Sequence, residues 1–174
     1  MIKKIIADFH ATSVYSLDIE ELKLLNIKLA FIDLDNTLAQ YDLLSPEKRT
    51  YELIKKYKDN GIEVVILSNN REKRVSPFVS KLKVKYISSC HKPFKSKIKK
   101  YIISNCIETS NAIIIGDQLL TDVMLAHALN MKCVLTEPIS KIDQFTTRFN
   151  RLIDRPLRKK YLKENRLGIN INVK

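Results

Sequence analysis

The apolar run Leu29-Ala30-Phe31-Ile32 drives straight into two carboxylates spaced two apart, Asp33 and Asp35, with Thr37 at the same interval beyond. That stretch constrains the chain most. Residues i and i+2 of an extended segment share a face, so both carboxylates leave the strand on one side, and the turn that follows can aim them into one small volume. Carboxylates held that close repel and shift each other's pKa unless a cation or a reaction uses them. A lone Asp-x-Asp is most often an exposed acidic turn. With Thr37 included, chance produces the pattern in only about 2% of chains this long at ordinary residue frequencies, and the strand end is read as a site.

The rest of the chain repeats the rhythm of apolar strand, polar end and amphipathic helix. Residues 1–17 carry no strong period, and Asp18-Ile19-Glu20-Glu21 then reads as a capping box opening a short helix that ends near Asn26. Lys28 to Asp33 is the first expected strand. Ser45 and Pro46 are the expected cap and first residue of a helix whose apolar face is Leu53, Ile54 and Tyr57, closed by Gly61. Ile62 to Leu67 is a β-branched strand ending in Ser68-Asn69. Val75, Phe78, Val79 and Leu82 mark a helix, Val84 to Ile87 a strand leading to His91-Lys92-Pro93, and Ile98, Tyr101 and Ile102 another helix. Ala112 to Ile115 runs into Gly116-Asp117-Gln118, followed by a helix from about Leu119 to Asn130 and a strand from Lys132 to Leu135. Beyond Pro138 the pattern is all helical, Ile142 to Phe149 and about Leu152 to Leu162, with Pro156 dividing two helices.

Strands alternating with helices imply βαβ units and a doubly wound parallel sheet with right-handed crossovers. Ligands bind outside the carboxyl ends of such strands. The expected organisation is one domain over residues 1–174, with a motif core at about 29–135 and a basic helical C-terminal extension at about 139–167.

Charge and cysteine usage narrow the setting. The net charge of +12 draws the chain toward phosphate-rich partners. More than half of that excess lies between Lys141 and Lys174, with ten Lys or Arg against three acids, so a basic patch is set against plain composition bias. Cys90, Cys106 and Cys133 are odd in number and far apart, which argues against a disulfide framework and for a reduced, cytoplasmic setting. The segment Met1 to Asp8 lacks the apolar core of a signal peptide, and no apolar run is long enough to span a membrane.

The polar strand ends suit phosphoryl transfer. An ionised Asp33 can attack phosphorus to form an acyl phosphate. Attack by one anion on another needs a cation between them, and Mg²⁺ held by Asp33, Asp117 and the backbone carbonyl of Asp35 is the economical choice. The Asp35 side chain is then free to protonate the leaving oxygen and afterwards to activate water. Thr37, Ser68, Asn69 and Lys92 are the expected phosphate-binding residues, Ser68 and Asn69 by donating hydrogen bonds and Lys92 by neutralising charge. Gly116 is expected to permit an unusual backbone where Asp117 reaches inward, and Asp122 either completes the metal's surroundings or holds Lys92. His91 is structural or substrate-adjacent.

Taken in order, Asp33-Leu34-Asp35-Asn36-Thr37, Ser68-Asn69, Lys92-Pro93 and Gly116-Asp117 with Asp122 resemble the four motifs of the haloacid dehalogenase-like (HAD) phosphohydrolases. The second Asp of the first motif resembles the phosphatases of that superfamily, and Asn36, in place of the glycine common there, its class III branch. Between the first three motifs there is room only for single helices and strands, so no cap domain is expected. Ser13-Val14-Tyr15 with Leu17-Asp18, Pro138-Ile139, Asp143, Thr147-Arg148 and Asn150-Arg151 resemble the YqeG family of class IIIA phosphatases. The resemblance implies an uncapped, Mg²⁺-dependent phosphatase, and the related phosphatidylglycerophosphate phosphatases suggest an anionic lipid substrate. Peripheral contact of the basic C-terminal region with the inner face of the membrane would follow. Two alternatives stay open: a phosphatase for soluble metabolites, nucleotides or phosphoproteins, and a basic RNA- or ribosome-binding module on an idle phosphatase fold. The absence of an aromatic-rich nucleic-acid signature weighs against the second.

Overall fold

The computed structural model describes residues 5–140, 145–164 and 166–173, the side chains of 145–149 excepted. Seven parallel strands form one sheet in the order β4-β3-β2-β5-β6-β1-β7: β1 Phe9–Ala11, β2 Leu29–Asp33, β3 Glu63–Leu67, β4 Lys85–Ile87, β5 Ala112–Gly116, β6 Lys132–Thr136 and β7 Ile169–Asn170. Among the described residues six α-helices accompany them: α1 Ile19–Leu24, α2 Lys48–Asp59, α3 Glu72–Val79, α4 Ser96–Ser104, α5 Met124–Ala128 and α6 Phe145–Lys163.

Strict alternation along the central strands divides the core in two. Ala30, Ile32, Val64, Ile66, Ile113, Ile115 and Val134 face α1, α2 and α3 through Leu22, Leu53, Ile54, Tyr57, Val75 and Phe78. Phe31, Val65, Leu67, Ile114, Cys133 and Leu135 face α4, α5 and α6 through Ile98, Ile102, Leu125, Ala126 and Tyr161. A fully buried Ile, Val or Leu contributes about 1.5–3 kcal/mol, so central strands apolar on both faces are where this fold concentrates its stability.

The direction of strand order reverses between β2 and β5, which pair side by side with Ile32 opposite Ile115. A crevice opens there, at the carboxyl ends, and it receives Asp33 from β2 and Asp117 from just beyond β5. β3, on the other side of β2 with Leu67 opposite Asp33, delivers Ser68 to the same rim. Only α2 lies between β2 and β3, and only α3 with one short turn between β3 and β4, so no cap domain is inserted between these strands.

Several sequence expectations shift. α2 begins at Lys48, two residues past Pro46, and Ser45 accepts from Lys81 Nζ at 2.7 Å instead of capping it. Asp18 caps α1 by accepting from the Glu20 amide at 3.0 Å, but the expected capping box does not close, because the Asp18 amide donates to the Ile171 carbonyl at 3.0 Å instead. The expected helix from Leu119 begins as a wide π-type turn, Leu119–Val123, before α5. α6 is one helix through Pro156 rather than two. Leu152 and Pro156 are both exposed, so the carbonyl that loses its i+4 donor lies on the watery side. The expected start of that helix at Ile142, with Asp143, lies outside the described residues, as do the side chains of Thr147 and Arg148. β1 and β7, from residues with no period, pair with each other at the sheet's far edge. Gly168, at φ +101°, lets β7 approach so closely that a Cβ would stand 2.7 Å from the Ala7 carbonyl.

Candidate active site

The turn after β2 makes the site possible. Asn36 adopts φ +66°, in the left-handed region that Asn tolerates better than most residues. The amides of Leu38 and Ala39 then fold back onto the carbonyls of Asp33 and Leu34. That curl buries Asp33, Asn36 and Thr37 at the crevice floor and leaves Asp35 at its rim.

Lys92 reaches into the floor and binds two carboxylates at once, Asp33 through Oδ1 and Asp122 through Oδ1 at 2.6 Å. Burial would lower the lysine's pKa, but Asp122 and Asp33 together raise it, and Lys92 keeps its proton. Asp33 is raised well above the usual carboxylate range by burial, with Lys92 opposing and Asp122 and Asp117 adding to the rise. Asp117, fully buried, is pushed by burial to about 6, with the Arg151 guanidinium pulling the other way. The carboxylates of Asp33, Asp117 and Asp122 each offer an oxygen within 4.8 Å of the others. Buried anions this close call for cations, and an all-oxygen set without His or Cys suits a hard divalent ion such as Mg²⁺.

The residue after β5 owes its place to space. Gly116 has no positive φ; the Asp122 side chain fills the volume of its missing Cβ, which would stand 2.2 Å from Asp122 Cγ. The π-type turn sends Asp122 back over Gly116, where Oδ2 accepts from the Gln118 amide at 3.2 Å and the Thr121 hydroxyl at 3.2 Å. Asp122 therefore both holds Lys92 and joins the carboxylate cluster.

The other expected residues gather here in different company. Thr37 Oγ1 donates to Asp117 Oδ1 at 3.3 Å. Asn69 brackets the Lys92 backbone, accepting from its amide at 2.7 Å and donating to its carbonyl at 3.2 Å. The Asp35 side chain, expected to be free, accepts from Ser68 Oγ at 3.1 Å, Asn70 Nδ2 at 2.8 Å and Arg74 Nη2 at 3.1 Å. Asn70 and Arg74 escaped the sequence reading. Arg74 also donates to the Tyr41 carbonyl at 2.8 Å, which ties the rim of the crevice to α3. Arg151 and Arg158, read as tail charge, reach Asp117. His91 is exposed at φ +55°, its carbonyl accepting from the Phe94 amide.

Residues 2–136 match the family model described as haloacid dehalogenase-like hydrolase, and the chain belongs to that family. It is 34% identical over 156 residues to the Probable phosphatase YqeG of Bacillus subtilis (strain 168), covering 89% of this chain and 91% of that protein, and it is a phosphatase of the HAD type. Two solved structures share the fold. One is an uncharacterized protein from Listeria monocytogenes serotype 4b, at TM-score 0.54 and 12% identity over 76% of this chain and 99% of that one. The other is the cobalt-bound deoxy-D-mannose-octulosonate 8-phosphate phosphatase from Haemophilus influenzae, at TM-score 0.51 and 16% identity over 80% and 94%.

Proposed function

We propose that this phosphatase hydrolyses phosphomonoesters in two in-line transfers through Asp33, with Mg²⁺ as its cofactor. The convergence of Asp33, Asp117 and Asp122 within 4.8 Å, with Lys92 between two of them, carries the reading. Asp33, Asp117 and Asp122, with the Asp35 carbonyl, would hold the ion, whose charge lets an anionic carboxylate approach an anionic phosphoryl group. A carboxylate oxygen of Asp33 bonds to phosphorus as the ester P–O bond breaks, and Asp35 gives the departing alkoxide its proton. Asp35 then takes a proton from water as that water attacks the acyl phosphate, which releases phosphate and restores Asp33. Lys92 offsets the charge on the transferring oxygens. Ser68, Asn70 and Arg74 aim Asp35 at the reacting bond.

The substrate we favour is an anionic lipid phosphate of the phosphatidylglycerophosphate kind. The uncapped crevice admits a bulky headgroup. The outer face of α6 combines exposed Arg155, Lys159, Lys160 and Lys163 with Leu152 at 72% and Leu162 at 63% exposure. Each Lys or Arg beside an anionic bilayer adds about 1 kcal/mol, and the leucines can enter the interface. Arg158 is engaged with carbonyls and is no part of that patch. Among the described residues no helix is long and apolar enough to cross a membrane. The deciding experiment is phosphate release from phosphatidylglycerophosphate in mixed micelles, nucleotides, sugar phosphates and phosphopeptides, alongside sedimentation with anionic and neutral vesicles. Faster turnover of the lipid, with salt-sensitive binding to anionic vesicles that is lost when Arg155, Lys159 and Lys160 become Gln, supports the lipid reading. Preference for a soluble ester with no vesicle binding overturns it.

A further inference from the structure

The inner face of α6 enters the site from behind. Arg151, 4% exposed, donates through Nη1 to the Asp117 carbonyl at 3.2 Å and through Nη2 to its carboxylate Oδ2. One guanidinium thus grips the backbone and the side chain of the same residue. The other carboxylate oxygen of Asp117 accepts from Thr37, so each has a fixed donor. Arg158, seven residues on, donates to the same carbonyl at 2.7 Å and to the Thr136 carbonyl at 2.6 Å, which joins the segment after β5 to the end of β6. Between them Asp154, buried, accepts from the Leu120 amide at 3.2 Å and from Arg158 Nε at 3.4 Å. Positions 151, 154 and 158 follow the i, i+3, i+7 spacing of a single helix face, and that face is spent on the segment from Asp117 to Leu120.

We propose that Arg151, supported by Arg158, is a positioning residue that fixes the Asp117 carboxylate toward Asp33 and Asp122, which makes α6 part of the metal centre. The inference rests on the metal reading above. A planar, two-pronged donor is needed because a lysine ammonium is a point charge and cannot bridge a carbonyl and a carboxylate at once. A rival role predicts the opposite sign. Were Arg151 only a counter-charge to the carboxylates, removing it would tighten the binding of another cation; as a positioning residue, its removal weakens that binding.

Calorimetric titration of Mg²⁺ into the metal-stripped full-length protein separates these roles. Wild type, Arg151→Met, Arg151→Lys and Arg158→Gln are compared, each checked for folding by circular dichroism and melting in chelator. Partners that orient metal ligands typically govern 10–100-fold in affinity. Arg151→Met should lose about that much, Arg151→Lys should recover only part of it, and Arg158→Gln, which leaves both Arg151 contacts to Asp117 in place, should lose less. In phosphate release, the Mg²⁺ concentration for half-activation should rise in parallel while kcat at saturating Mg²⁺ stays within a few-fold of wild type. Unchanged or tighter binding by folded Arg151→Met overturns the inference. If that variant does not fold, wild-type affinity in both Arg151→Lys and Arg158→Gln overturns it. Wild type that binds no Mg²⁺ overturns the metal reading and this inference together, whereas failure in the variants alone leaves that reading standing.

Discussion

Stripping the protein of divalent cations should make its stability fall as pH rises through the weakly acidic range. Asp117 goes from its ordinary 3.8 to about 6 in the folded protein because burial disfavours the carboxylate. A group whose folded pKa lies above its unfolded one binds its proton more tightly when folded. Stability is therefore greatest below about pH 4 for this group and declines until the folded pKa has been passed. At 1.36 kcal/mol per pH unit the loss amounts to ~3 kcal/mol, or about 6–12 °C in melting temperature for a chain of this size. Asp33, raised by the same cause, adds to the decline, whereas Glu72, held low by Ser88 and Tyr86, acts in the opposite sense. The assay is urea unfolding from pH 4.5 to 7.5 in chelator and in saturating Mg²⁺, for wild type and Asp117→Asn. The variant loses overall stability, because the ion pair between Arg151 and Asp117 goes, but its pH slope should flatten. Mg²⁺ should flatten the wild-type slope as well. Equal slopes for wild type and Asp117→Asn in chelator would refute the reasoning.

Gly116→Ala should destabilise the protein by more than ~2 kcal/mol and sharply reduce phosphate release, since the added methyl overlaps Asp122; adding Asp122→Ala should recover stability but not activity, and a Gly116→Ala protein with wild-type melting and turnover would contradict the packing account. Arg74→Gln should slow turnover by about 10²-fold, the scale of a displaced general acid, without moving Mg²⁺ affinity, because Arg74 binds Asp35 and none of the three clustered carboxylates. A weakened metal with unchanged kcat would reverse that assignment.

The sequence announced what local rules govern. β2, β3 and β5 are continuous apolar runs that need cover on both faces, so their spans were legible to within a residue, as was the parallel arrangement implied by the helices between them. Asp33, Ser68 and Asp117 stand out in the sequence as candidates because each ends or directly follows a strand, and Asp35 and Lys92 because they lie two residues past β2 and five past β4. Three-residue β1 and two-residue β7 were not, since a strand that short carries no period and exists only through its neighbour across the sheet. Pro156 suggested a break because chain chemistry alone cannot tell that the lost bond faces water. The contacts of Arg151, Arg158 and Arg74 are pairings separated by 34, 41 and 39 residues, which no spacing rule reports. Gly116 was read for backbone freedom, yet its role is steric, set by a side chain six positions later.

Covalent capture of the phosphoryl group is the most direct test of the central claim. Wild type mixed with a ³²P-labelled phosphomonoester and Mg²⁺, quenched in acid within milliseconds and digested, should yield one labelled peptide containing Asp33, with the label released by hydroxylamine as an acyl phosphate requires. Asp35→Asn, slowed in the second transfer, should accumulate more label, and Asp33→Asn should carry none while remaining folded. Turnover by wild type without label at Asp33, or wild-type turnover by Asp33→Asn, would contradict the account.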